Sequence, residues 1–178
     1  MSQLWQARIP CSGSPFNLSC TYDGPGILLH QTFENGLGTW TTENLSSGSS
    51  PQNTAWTIQQ HGYTYLGSPV VEFNSPGEGQ FILSNADDGG GGTEVHTVLT
   101  SPPFSTIGYS SLILSFRHYY KYLSVETFIE VSTNGTNWTT LESYASDQGQ
   151  SNDFNLVEIV LDSYADQSSL RIRFRYQG

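Results

Sequence analysis

The run Leu170-Arg171-Ile172-Arg173-Phe174-Arg175-Tyr176 alternates apolar and cationic residues without a break. Successive side chains of an extended strand point to opposite faces. The pattern therefore sends Leu170, Ile172, Phe174 and Tyr176 into a core and puts the three arginines on the other face. A helix would scatter both sets around its axis. The same period of two recurs upstream. Ile129 and Val131 share a face in Phe128-Ile129-Glu130-Val131-Ser132, and Val157, Ile159 and Leu161 share another. In 111–120, Leu112, Leu114 and Phe116 alternate with Ile113, Ser115 and Arg117, as expected of a strand covered on both faces. Asn134-Gly135 lies between two such runs and signals a hairpin turn, because both residues tolerate a left-handed backbone.

Shorter strand candidates lie at 27–33, 55–59, 70–73, 79–84 and 95–100. Residues 45–54 are rich in Ser, Gly, Asn and Pro and read as a loop. No segment has a convincing amphipathic-helix period. Many short strands with frequent turns predict an all-β, two-sheet antiparallel sandwich. At 178 residues the chain suits one domain with a sizeable core. We divide it into an irregular leader or linker, 1–26, and a β domain, 27–178.

Charge narrows the function. No Lys or Arg occurs between Arg8 and Arg117, while the same stretch holds Asp23, Glu34, Glu43, Glu72, Glu78, Asp87, Asp88 and Glu94. Such carboxylates either stay apart in water or gather around a cation. A hard ion such as Ca²⁺, with six to eight oxygen ligands, is the natural candidate. The ligand-like cluster is Ser84-Asn85-Ala86-Asp87-Asp88-Gly89, followed by more glycines. It does not match an EF-hand loop. The plainer alternative is a solvated turn, since Asp and Gly are common turn formers. The net charge of −10 argues against nucleic acid and anionic membranes as partners. No apolar run approaches the roughly 18 residues of a membrane span.

Low charge content with abundant Gly, Ser, Thr, Asn and Tyr suits an extracellular β protein. The first residues, Met-Ser-Gln-Leu-Trp-Gln, lack the charged and apolar regions of a signal peptide. Either such a peptide has been removed, or the chain is a piece of a longer secreted protein. In an oxidising compartment Cys11 and Cys20 would close a small disulfide loop; otherwise they are two free thiols in the leader.

Three segments form an ordered series: Leu99-Thr100-Ser101-Pro102-Pro103-Phe104, then Leu112-Ile113-Leu114-Ser115-Phe116-Arg117-His118-Tyr119-Tyr120, then Phe128-Ile129-Glu130-Val131-Ser132-Thr133-Asn134-Gly135-Thr136-Asn137-Trp138. Ile159-Val160-Leu161 and the Leu170 to Tyr176 strand follow, and Phe33-Glu34-Asn35-Gly36 with Trp40 precedes them. This series resembles the MAM-like jelly-roll modules of secreted bacterial proteins, including cleaved-adhesin and choice-of-anchor domains. The resemblance implies a jelly-roll sandwich with a structural Ca²⁺ ion. It assigns the ligands to Glu34, Asn85, Asp87 and Asp88. The family continues beyond the arginine-rich strand into one further strand, whereas this sequence stops at Gln177-Gly178. An open sheet edge is then expected. Leu4-Trp5-Gln6-Ala7-Arg8-Ile9 can cover it within the chain, or join subunits by strand addition into a homo-oligomer or filament.

Catalytic signals are weak. His30, His61, His96 and His118 are scattered, and neither a nucleophile elbow nor a phosphate loop is present. Glu126 and Glu130 share a strand face and could flank a glycosidic bond, but two solvent-facing glutamates are the simpler account. The arginine face is expected to pair with Glu126, Glu130 or Glu158 across strands. Tyr63, Tyr65, Tyr109, Tyr119, Tyr120, Tyr122, Trp40, Trp56 and Trp138 supply rings able to stack on sugars, although a β core also consumes aromatics. The expectation is a non-catalytic, Ca²⁺-stabilised adhesion or assembly module at the cell surface, with protein or glycan partners. The alternative is a carbohydrate-binding module that targets a secreted enzyme to polysaccharide.

Overall fold

The computed structural model describes residues 26–65, 71–74 and 79–178. The leader, its two cysteines and the Leu4 to Ile9 segment lie outside these residues, apart from Gly26. The described residues form the strands β1 (Thr41–Asn44), β2 (Ser47–Gly48), β3 (Thr57–Gln60), β4 (Tyr63–Tyr65), β5 (Val71–Phe73), β6 (Gln80–Leu83), β7 (Thr93–Glu94), β8 (His96–Thr100), β9 (Ile113–His118), β10 (Glu126–Ser132), β11 (Thr139–Tyr144), β12 (Asn155–Val160) and β13 (Arg171–Gln177). Among them there is no α-helix.

The main sheet has five antiparallel strands in the order β1-β8-β13-β10-β11. The alternation in β13 decides its faces. Phe174 stands opposite Leu99 of β8 and Ile129 of β10, and all three are buried. One residue on, Arg175 stands opposite Val98 and Phe128 on the other face. The antiparallel pair β9–β12 lays Leu114 and Phe116 on the apolar face of this sheet, with the Phe116 and Phe174 rings 5.1 Å apart, edge to face. Each large side chain buried this way contributes about 1.5–3 kcal/mol of transfer free energy. Leu112, Leu114 and Phe116 are buried, as their spacing predicts.

Several expectations need correction. Residues 27–33 form no strand. Phe33 adopts a left-handed φ of 64° in a turn closed by the Gly36 N–H donating to its carbonyl. Its ring is fully buried and meets Trp40 edge to face. Local apolar content therefore serves packing here, while the edge of the sheet is taken by β1, a polar segment. The 45–54 loop contains β2 and a 3₁₀ turn, Pro51–Thr54. A Cβ on Gly48 would lie 2.1 Å from the Gly92 carbonyl oxygen, so β2 and β7 pair only because Gly48 has none. The arginine-rich strand is not an edge: β13 pairs on both sides, and β1 and β11 flank the sheet. The Asn134-Gly135 turn does join two paired strands, β10 and β11. Asn134 Oδ1 accepts hydrogen bonds from the Thr136 and Asn137 amides, and Gly135 has φ 76°.

A second apolar cluster stands beside the main core. Phe73, Phe81 and Phe154 are buried in it, with Tyr63, Tyr65, Val71, Leu83 and Tyr119 packed around them. Phe73 stacks near Phe81 at 5.9 Å and meets Tyr119 edge to face at 5.6 Å.

Candidate functional site

The junction of the two clusters leaves a cleft of about 270 Å³. Buried side chains of the main core reach it: Trp56, Ile82, Tyr120, Thr127 and Tyr176. The second cluster supplies Phe73, Val71, Leu83 and two half-exposed tyrosines, Tyr65 and Tyr119. Asn85, exposed Asp87 and exposed Lys121 add polar groups. An apolar cavity with a few converging polar groups is the usual form of a ligand site, and this volume lies just below the ~300–1,000 Å³ typical of one.

Strand geometry explains the grouping. Tyr119 and Tyr120 follow the end of β9 at His118, so consecutive residues turn to different surroundings. Tyr119 joins the second cluster, while Tyr120 joins the main core and donates its hydroxyl hydrogen to the Val125 carbonyl. Tyr176 comes from β13, in the row it forms with Thr97 and Thr127. Asn85 and Asp87 follow β6, where the Asp87 amide donates to Asn85 Oδ1 and begins the 3₁₀ turn Asp87–Gly89. Gly89 is closely packed, since a Cβ there would lie 2.8 Å from Thr54 Cγ2, whereas Gly90 and Gly91 face open space.

The electrostatics of the cleft are acidic. Burial raises the Tyr65 hydroxyl pKa, and the charge of Asp87, a hydrogen bond with Asp87 and the charge of Asp88 raise it further. Burial carries Tyr120 to about 12, with Tyr122, Glu126 and Asp147 adding to it. Tyr176 is raised by burial, then by Tyr120 and Asp87. The Lys121 ammonium donates to Asp147 Oδ2, and both side chains are about half exposed.

The four residues assigned to calcium are not gathered as one set. Both Glu34 carboxylate oxygens accept the Gln80 amide at 3.0 Å, at the start of β6. Asn85, Asp87 and Asp88 follow the other end of that strand, and its four residues span about 10 Å at ~3.3 Å each. Among the described residues no three His, Cys, Asp or Glu side chains are grouped to hold a metal ion. Asn85, Asp87 and Asp88 bring three oxygen-bearing side chains to one turn, fewer than the six to eight oxygens that Ca²⁺ takes. Backbone carbonyls and water would have to supply the rest.

The arginine face is resolved in detail. Glu130 is buried and accepts from Arg173 Nε at 2.6 Å, and from Arg175 through Nη2 at 3.0 Å and Nε at 3.1 Å. Burial pushes the Glu130 carboxyl up, but the hydrogen bonds and charges of Arg175 and Arg173 outweigh it and hold the group below the usual carboxylate range. Trp138 covers Arg173 at 4.3 Å and Phe128 covers Arg175 at 4.0 Å. Glu158 is elsewhere, on β12 opposite Ser115. Glu126 is exposed and stands opposite Gln177. Four residues along a strand separate Glu126 from Glu130 by about 13 Å, beyond the ~5–9.5 Å of glycosidase carboxyl pairs.

The aromatics divide by position. Trp56, Tyr65, Tyr119 and Tyr120 line the cleft, Trp40 lies in the core against Phe174, Trp138 covers Arg173 and Tyr122 is exposed. Sequence reasoning missed Phe73, Tyr176 and Lys121 as cleft residues, because they come from β5, β13 and the segment after β9, and no spacing links them. His118 continues the Leu112, Leu114 and Phe116 face and is buried between the Phe116 and Tyr144 rings. Comparison with known proteins returned no matching family model, no matching curated protein and no matching solved structure.

Proposed function

We propose that the chain is a non-catalytic recognition module of the extracellular space, a jelly-roll sandwich whose aromatic cleft binds a glycan. The observation that carries the reading is the cleft: half-exposed Tyr65 and Tyr119 stand beside Asn85 and Asp87. Ring faces cover the C–H face of a sugar, and the amide and carboxylate hydrogen-bond its hydroxyls. The five-stranded antiparallel sheet with β9–β12 packed on its apolar face supports the sandwich architecture. The composition supports an extracellular setting, and no described helix is long and apolar enough to cross a membrane.

Titration calorimetry with soluble oligosaccharides tests the reading. Tyr119→Ala and Tyr65→Ala are each expected to weaken binding by about 1 kcal/mol, roughly fivefold, with circular dichroism unchanged. If no oligosaccharide in a broad panel binds at millimolar concentration, the cleft is not a glycan site.

A structural Ca²⁺ ion at the Asn85, Asp87 and Asp88 turn is a separate element of the proposal, supported by exposed paired carboxylates in a region poor in cations. An ion bound only by the folded state stabilises by about 2.7 kcal/mol at a hundredfold excess over its dissociation constant. Chelation with EDTA is expected to lower the melting temperature and Ca²⁺ to restore it. A melting temperature that ignores both removes the ion from the proposal.

A further inference from the structure

We propose that the cleft, when its turn of Asn85, Asp87 and Asp88 carries no Ca²⁺, selects glycans by charge: it accepts neutral sugars, holds sugars with a free ammonium group more tightly, and rejects uronic and sialic acids. This inference rests on the glycan reading above and adds the ligand class. Asp87 lines the cleft, with Asp88 next in sequence, and both are exposed. The described lining contains one cation, Lys121, whose ammonium is already paired with Asp147. Without Ca²⁺ on the turn, the fixed charge that the described lining presents to a ligand is therefore negative. The faces of Tyr65 and Tyr119 carry the negative side of the ring quadrupole and add to the same sign.

An anionic sugar would bring its carboxylate toward Asp87 with no unpaired cation among the described lining residues to receive it. Like charges at such a distance are destabilising, and the ligand also loses water from its charge. An amino sugar also loses water from its charge, but the sign of its interaction with Asp87 is reversed. Its ammonium can donate to Asp87 and lie over a tyrosine face. Asp87 is exposed, so the gain is that of a solvent-screened pair, about threefold in affinity.

The test measures binding of three size-matched ligands in EDTA, so that no added cation masks the carboxylates. These are a glucosamine oligomer, a neutral glucose oligomer and a galacturonic acid oligomer. The expected order is amino sugar, then neutral, then acidic, with the gap between the first two shrinking as salt rises. Asp87→Asn is expected to bring the amino and neutral ligands level. Asp147→Asn frees Lys121 and is expected to admit the acidic oligomer. Acidic oligomers that bind the unaltered protein as tightly as neutral ones overturn this inference while leaving the glycan reading intact. Failure of all three ligands, and of a wider neutral panel, overturns both.

Discussion

Glu130→Ala is expected to destabilise the fold by about 3 kcal/mol. Breaking a buried ion pair by removing one partner typically costs ~3–5 kcal/mol, because the remaining charge is left without compensation. Here one carboxylate, 5% exposed, satisfies two guanidinium groups. The estimate sits at the lower end because Arg173 and Arg175 keep 22% and 19% of their side-chain surface and can regain some water. The site also coincides with a register shift between Ile129 and Glu130 in the β10–β11 ladder, where backbone pairing is already interrupted. Urea unfolding of the single variant gives the direct measurement. A companion variant, Glu130→Leu with Arg173→Met and Arg175→Met, is expected to recover most of the loss, since an apolar replacement of the whole set leaves no orphan charge. A single-variant loss under 1 kcal/mol would mean that solvent compensates both arginines.

Acid is expected to weaken the protein through His118. The side chain is 1% exposed, with Nε2 left without a hydrogen-bond partner among the described residues, and burial lowers its pKa from 6.5 to about 4. The folded state therefore keeps the imidazole neutral at a pH where the unfolded chain takes up a proton. Stability from this group is complete above about pH 6.5. It falls as pH drops toward about 4, because the unfolded state binds more protons across that window. The full shift corresponds to about 3 kcal/mol at ~1.4 kcal/mol per unit. His118→Phe keeps an aromatic ring between Phe116 and Tyr144 and removes the titration. Its melting temperature is expected to vary much less between pH 6.5 and 4. Some slope remains from His96, whose pKa is also lowered, by burial first and then by Arg175 and Arg173. An unchanged pH profile in the Phe variant would show that the imidazole is not the group responsible.

The strands of the second half were legible because each carries its own evidence. Alternation in 170–176 gives β13 its core face whatever its neighbours are, and Asn134-Gly135 announces the β10–β11 turn through backbone conformations that few residues adopt. The same reasoning failed at 27–33, where Leu28, Leu29 and Phe33 pack on the core outside any strand and Ile27 is exposed. It also passed over β1 and β11, whose side chains are largely polar because they border the sheet and are mostly exposed. Edge strands are recruited by the hydrogen-bonding groups of a neighbour, which leave little trace in side-chain type.

The candidate site was legible only in its parts. Sequence supplied a surplus of tyrosine and an acidic turn, and read them as separate features. Folding brings Asp87, Tyr65 and Tyr119 to one cleft, while Glu34 is drawn to the opposite end of β6 by the Gln80 amide. Period-two alternation by itself determined the all-β character, the core face of β13 and the arginine face beside it, since these depend only on neighbours along the chain. Which strand lies beside which, that Glu130 rather than Glu126 or Glu158 meets the arginines, and which aromatics border the cleft were decided by tertiary structure alone. Those choices follow from pairing and packing between residues dozens of positions apart, and local periodicity carries no information about them.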